Sequence, residues 1–370
     1  MSQYRFIDPL DVLYVRGNKL FGAAGDHGAA LMPPWPSLAA GALRSRMLVD
    51  HGIDPAEFAA GHCPSGALGE ALGTVTQPGR FRVNLLTLAQ RDGTPYFPLP
   101  ADTVVMAGQV ACLQPRMAHR SVQSSYPLPQ WPMLHQASAG KPESGWWLTL
   151  AGLNRWLAGG VPQPDELIAS HQLWRYDARL GIALESHART AATGQIYTAE
   201  AVALSQDIGF LVGVDGVDDP LLPASGLLRF GGDGRGAQIS PARAPQWTID
   251  WARIDRERRF KVMTLTPGLF ANGWIWLEGE DGLWRFGQSQ ARCVAACVQR
   301  AEVVSGWDLA NQCPKPAQRT VPVGAVYWFE DFTGDIEALR QRLMQGLPGA
   351  DASRQAEGFN HLLIAAWPQD

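Results

Sequence analysis

The strongest constraint on this chain lies between Arg179 and Phe270. There, short apolar runs are closed again and again by glycine or proline. "RLGIALES", "GQIYTAEAVAL", "IGFLVGVDG" and "KVMTLTPGLF" each have the length and β-branched content of a strand. The third turns at Asp215-Gly216 and the fourth ends at Pro267-Gly268. No helix of heptad length and no short-period repeat appears, and the second half is β-rich. The first hundred residues add a helix. "YRFIDPLDVLYVRGNKLFG" is a strand and turn, "PPWPSLAAGALRSRMLVDHG" is a helix capped at Ser37 and closed near Gly52, and "FRVNLLTLAQRDGTPYFPLP" is a hairpin turning at Asp92-Gly93. The order β, α, β, β opens a ferredoxin-like unit.

With 370 residues, two compact units are expected, both α+β. The division falls at 1–160 and 161–370. A proline-rich stretch without apolar period, Arg116 to Gly145, reads as a long surface insertion that orders on a partner. After it, "WWLTLAGLNRWLAGG" has the spacing of a helix with Trp146, Leu150, Leu153 and Leu157 on one side.

Several chemistries drop out. The five cysteines are odd in number and form no CxxC pair, which argues against a disulfide framework or a zinc knuckle and for free thiols in a reducing cytoplasm. Cys293 and Cys297 suit one helix face or two places in a bent segment. Asp8 and Asp11 interrupt the N-terminal apolar stretch, so it is neither a signal peptide nor a membrane span, and a cytoplasmic protein is expected. No G-x-S-x-G elbow occurs, and Asp215, Asp218 and Asp219 miss the EF-hand spacing. No cofactor or metal is implied. His27 and His187 are candidates for a metal-independent general base, against the plainer reading of surface histidines.

"RFGGDGRGAQIS" (Arg229 to Ser240) packs four glycines into six residues. Pro241 and Pro245 deny it the following helix that a dinucleotide turn needs, and there is no Gly-Lys-Ser/Thr for a Walker loop. Gly231, Gly232, Gly234 and Gly236 remove side chains that would keep a phosphate chain off the backbone, and Arg235 adds a forked cation. From Arg229 to Lys261 there are eight basic residues (Arg229, Arg235, Arg243, Arg253, Arg256, Arg258, Arg259, Lys261) against four acidic ones, while the whole chain carries −4. Trp247, Trp251 and Phe260 interleave with them, as in a surface that grips backbone and stacks bases. The residues alone leave open a second reading, a glycine-rich hairpin with a solvated charged face. Trp146, Trp147, Trp156, Trp274, Trp276, Trp284 and Trp328 read as core.

Seven stretches in order, from about Phe6 to Phe359, resemble the family of third subunits of the Cmr complex, the type III-B CRISPR effector, within the RAMP superfamily. They are "IDPLDVLYVRGNKLFG", "PPWPSLAAGALRSRML", "RLGIALESHARTAATGQIYTAEAVAL", "RFGGDGRGAQI", "LTPGLFANGW", "VSGWDL" and "VPVGAVYWFE". The resemblance implies tandem ferredoxin-like folds that grip the 5′ repeat-derived tag of the guide RNA (crRNA). It also implies contact with the large polymerase-like Cmr subunit and with a backbone subunit, no membrane, and no cleaving activity. It marks Arg16, Lys19, Arg44, Arg189 and Arg235 as RNA contacts above the ordinary surface cation. Two rivals remain: a guide-processing endoribonuclease using His27 or His187, and a protein-only spacer that touches no RNA.

Overall fold

The computed structural model describes residues 2–15, 27–117, 124–134, 140–185, 187–188, 190–275, 282–308, 311–347 and 351–368, with backbone alone at 27–28, 183, 191–197 and 344. The fold is mixed α+β, built from antiparallel sheets. Its two units are interleaved along the chain. The first comprises Met1–Gly93, His171–Arg243 and Val303–Gln318, and the second Thr94–Ser170, Ala244–Glu302 and Arg319–Asp370. This corrects the division at 160/161. A strand from the middle of the chain belongs between two strands from its beginning, so no single cut separates the units.

In the first unit, β1 (Gln3–Pro9) leads to α1 (Pro36–Asp50) and β2 (Arg82–Gln90). A long hairpin, β3 (Trp174–Leu184) and β4 (Ala191–Leu204), precedes β5 (Ile208–Asp215), β6 (Gly226–Arg229) and β7 (Gly236–Pro241). The order β2-β5-β1-β7-β6 is antiparallel throughout. The register sets Phe6 opposite Leu211 and Ser240, and Ile7 opposite Phe210 and Ile239. Apolar residues from β1, β5 and β7 thus line up across the sheet. Helix α1 packs on β2 and β6. It presents Ala39, Ala40, Leu43 and Met47, all fully buried; Leu43 and Met47 stabilise this layer by about 1.5–3 kcal/mol each. The helix starts one residue before the expected cap. Pro36 sits in the first turn behind Trp35, and no side chain caps the end. Proline at the first helical position lacks one of the N–H groups that a helix start leaves unpaired and already has helical φ. The base of the β3–β4 hairpin is held by a bridge between Leu13 and Val202, both buried. Farther out, Leu180, Ile182 and Leu184 are exposed.

In the second unit, α2 (Trp251–Glu257) precedes β8 (Phe260–Thr264), β9 (Leu283–Phe286), β10 (Ser289–Cys297), β11 (Val326–Thr333), α3 (Ile336–Met344) and β12 (Leu362–Ala365). The order is β9-β10-β11-β8-β12, again antiparallel. Its core is aromatic. Phe329 stacks on Phe260 at 5.0 Å and meets Trp284 edge-on at 4.4 Å. Cys293 and Cys297 share strand β10, with a register irregularity between Cys293 and Ala295. Three short strands, 95–98, 146–149 and 167–169, form an antiparallel group beside the helix Leu150–Leu157. Trp146 and Trp147 therefore lie in a strand and not in the expected helix. The helix begins only at Leu150, because the Thr149 hydroxyl accepts from the Gly152 amide and caps it there.

The described part of the 116–145 insertion is held by its own chain, against the expectation of a partner-ordered loop. Gln114–Met117 pairs with Gln130–Met133. The Tyr126 hydroxyl donates to the Ala296 carbonyl (2.9 Å) and accepts from the Ala296 amide (2.6 Å), and its ring stacks on Trp274. Burial pushes the Tyr126 phenol up to about 12. The prolines that break apolar periodicity here, Pro127 and Pro129, flank Leu128, which packs against the core.

Candidate nucleic-acid interface

The glycine-rich segment is the loop of the β6–β7 hairpin. Arg229 pairs with Gly236, and the Phe230 amide donates to the Arg235 carbonyl, leaving a tight loop between them. One end is anchored by Phe230, fully buried and 5.3 Å from Phe210. The other end carries Arg235. Gly231 (φ +93°) and Gly232 lie against the segment after β1: a Cβ on either would come within 3.3 Å of the Tyr14 carbonyl oxygen, and the Gly232 amide donates to that oxygen at 2.8 Å. These two glycines bring the loop onto Tyr14. Asp233 and Gly234 form the exposed tip, and a Cβ at Gly234 (φ +65°) would meet open space.

Arg235 is paired with the Asp11 carboxylate, and its guanidinium lies over the Tyr14 ring, 5.3 Å from the centroid. Arg179, from β3, pairs instead with Asp177, and that hydrogen bond raises its pKa. Two segments distant in sequence, the one around Tyr14 and the glycine loop, thus meet at one ring. Asp11 and Tyr14 were invisible to sequence reasoning: no spacing rule links residues 11, 14 and 235, and "LDVLY" looks like any strand end.

Of the other expected contacts, Arg44 lies on α1 with its guanidinium 5.0 Å from the Phe81 ring. Arg16, Lys19 and Arg189 lie outside the described residues. The basic stretch from Arg229 to Lys261 is divided between the two units. Arg229, Arg235 and Arg243 belong to the first unit and the other five to the second. There Arg253, Arg256 and Arg259 all converge on Glu257, and Arg258 pairs with Asp255. Lys261 is fully buried against Asp102. The interleaved aromatics are likewise committed, Trp247 to Phe97, Trp251 beneath Arg340, and Phe260 in the core. Trp284 and Trp328 are buried as expected, whereas Trp276 lies outside the described residues. His187 is exposed in the turn between β3 and β4; the side chain of His27 is not described. Among the described residues no group of three or more His, Cys, Asp or Glu is arranged to hold a metal, and no helix is long and apolar enough to cross a membrane.

A family model, described as CRISPR-associated protein (Cas_Cmr3), matches residues 5–367. The chain belongs to the Cas_Cmr3 family. The match runs unbroken through both interleaved units, so they are parts of one family fold, and the resemblance to the third Cmr subunit is borne out. No curated protein matches the chain. Among solved structures, the Cmr3-family chain is similar to a chain of "Type III-B Cmr-beta bound to cognate target RNA and AMPPnP, state 1", with 14% identity, TM-score 0.50 and coverage of 88% of this chain and 86% of that one. A chain of "Type III-B Cmr-beta bound to cognate target RNA" aligns at 14% identity and TM-score 0.50, covering 92% and 94%. At that identity the likeness is one of fold.

Proposed function

We propose that this Cmr3-family chain is a non-catalytic, cytoplasmic assembly subunit of a type III-B CRISPR effector. It grips the 5′ repeat-derived tag of the guide RNA and contacts the large polymerase-like subunit and a backbone subunit. The observation that carries the reading is the family match over residues 5–367, joined to a hairpin loop whose exposed tip is flanked by Arg235. The likeness in fold to chains of Cmr-beta bound to cognate target RNA supports it. We read both units as ferredoxin-like. In each, four antiparallel strands taken in chain order lie in the order second, third, first, fourth: β2-β5-β1-β7 and β10-β11-β8-β12.

The chemistry is backbone recognition: a guanidinium fork and main-chain amides on phosphate oxygens, so affinity falls as salt rises. His187 stands exposed, and no described residue orients its imidazole as a general base requires. The test is the assembled complex carrying Arg235→Ala. Loss of guide tag protection at matched salt is expected, and wild-type retention refutes the loop assignment. Incubating the chain with repeat-containing RNA in EDTA completes the test. Binding without cleavage fits the reading, and specific cleavage abolished by His187→Ala would make the chain an enzyme.

A further inference from the structure

Resting on the reading of the chain as an RNA-binding subunit, but on none of the loop's residues, we propose a second RNA contact in the second unit. Arg256 and Arg259 take two consecutive phosphodiesters of single-stranded RNA beside Glu257. A partnered cation is not a neutralised one. Arg253 Nε lies 3.0 Å from Glu257 Oε1, Arg256 Nη2 lies 3.3 Å from the same oxygen, and Arg259 Nε lies 3.1 Å from Oε2. Three guanidiniums thus share one carboxylate, which leaves a local surplus of two positive charges. The other carboxylate of α2, Asp255, is paired with Arg258. Asp250 caps the opposite end of the helix by accepting from the Arg253 amide.

The local fold builds this cluster. Arg253 and Glu257 are one turn apart on α2 and share a face. Arg258 then takes a left-handed conformation (φ +51°) that ends the helix, and Arg259 reaches the same carboxylate from beyond the turn. The three arginines differ in depth. The Arg253 side chain is 6% exposed, and its Nη2 donates to the Pro368 carbonyl at 3.0 Å, so it anchors Glu257 from the inside. Arg259 is 29% exposed and lies over the Trp367 ring, 4.9 Å from the centroid, which orients its fork. Arg256 is 69% exposed. A guanidinium carries five N–H donors, and Arg256 and Arg259 each use one on Glu257. The remaining donors form two forks, one at each oxygen of a single carboxylate. Phosphodiester oxygens accept such forks, and arginine meets them with a planar pair of donors that lysine lacks. The surplus of two charges matches two consecutive phosphodiesters, which a single strand supplies on one backbone.

The test uses the full chain and a fluorescein-labelled oligouridine, with anisotropy measured over a salt series. Arg256→Ala is expected to weaken binding about tenfold, the order of one charge-assisted hydrogen bond. The double variant Arg256→Ala/Arg259→Ala is expected to reduce the slope of log affinity against log salt by about 1.4. Arg256→Lys keeps the charge and removes the fork, and is expected to weaken binding severalfold with the slope unchanged. Glu257→Gln releases both forks and is expected to tighten binding severalfold, a gain that misfolding cannot produce. Arg116→Ala, at an exposed arginine bonded to Gln114, controls for bulk charge and is expected to change nothing. If the Arg256 and Arg259 variants weaken binding and Arg235→Ala does not, this contact stands and the loop grip falls. If only Arg235→Ala weakens binding, the loop grip stands and this contact is wrong. If wild type does not bind, both fall. The proposal is overturned if Arg116→Ala weakens binding as much as Arg256→Ala, or if Glu257→Gln binds no tighter than wild type. It is overturned equally if Arg256→Ala leaves RNA affinity unchanged and lowers recovery of the assembled complex, a result that would assign the cluster to a protein neighbour.

Discussion

Lys261 separates charge counted along the sequence from charge that can meet RNA. It lies on β8, fully buried, with Nζ 2.9 Å from Asp102 Oδ2 and 3.7 Å from the centre of the Trp156 ring. Asp102 is also fully buried, and its Oδ1 accepts from Trp156 Nε1 (2.8 Å) and Thr103 Oγ1 (3.2 Å). Lys261→Met keeps most of the side-chain volume and removes the counter-charge. Asp102 is left desolvated with two neutral donors, a defect of about 3–5 kcal/mol. At about 2–4 °C per kcal/mol for a body of this size, the melting temperature should fall by roughly 10 °C. Adding Asp102→Asn removes the stranded charge and should recover more than half of the loss, so the double-mutant cycle reports strong coupling. Thermal unfolding followed by tryptophan fluorescence reads both, with Trp156 at the site itself. Below its melting temperature, Lys261→Met should bind oligouridine with wild-type affinity and salt slope, because a buried ammonium releases no counterion. A shift under about 2 °C, or a flatter salt slope, would show that Lys261 faces solvent and that the buried-pair argument is wrong.

Two further outcomes follow from the second unit and the thiols. The Arg155 hydrogen bond holds the Glu166 carboxyl below its ordinary 4.5, with help from the Gln163 amide. As pH falls below 4.5, the unfolded carboxyl takes up a proton that the folded one still refuses, so folded stability declines through that window. Glu166→Gln should lower the melting temperature at pH 7 and flatten the decline below pH 4.5; an unchanged acid limb would refute the assignment. Cys63 and Cys313 are exposed, whereas burial pushes Cys112 up to about 11 and Cys297 up to about 12, and raises buried Cys293 further. A thiol-disulfide reagent at pH 8 should therefore label Cys63 and Cys313 rapidly and the other three only on unfolding, a count that mass spectrometry of the labelled chain checks.

What the sequence made legible was local, and what it hid was long-range. The runs at β3, β4, β5 and β8 were readable because strand length and closing turns are encoded within a few residues, as at Gly216, whose positive φ follows the end of β5 at Asp215. The interleaving of the units was not readable, since it depends on β5 entering between β1 and β2, which no local pattern encodes. The charge count from Arg229 to Lys261 misled because a count along the chain does not see partners: Arg253, Arg256 and Arg259 share Glu257, Arg258 has Asp255, and Lys261 is buried on Asp102. The glycine loop shows the limit most sharply. A missing Cβ permits close approach to a phosphate or to the chain's own backbone, and composition cannot tell these apart. Gly231 and Gly232 have their explanation in the Tyr14 carbonyl, so they are not free to cradle RNA. On the proposed reading the recognising groups are then Arg235, which this contact holds over the Tyr14 ring, and the amides of the exposed tip. The loop is best understood as the mount for an arginine, and that is why the test of function falls on guanidinium groups before it falls on glycines.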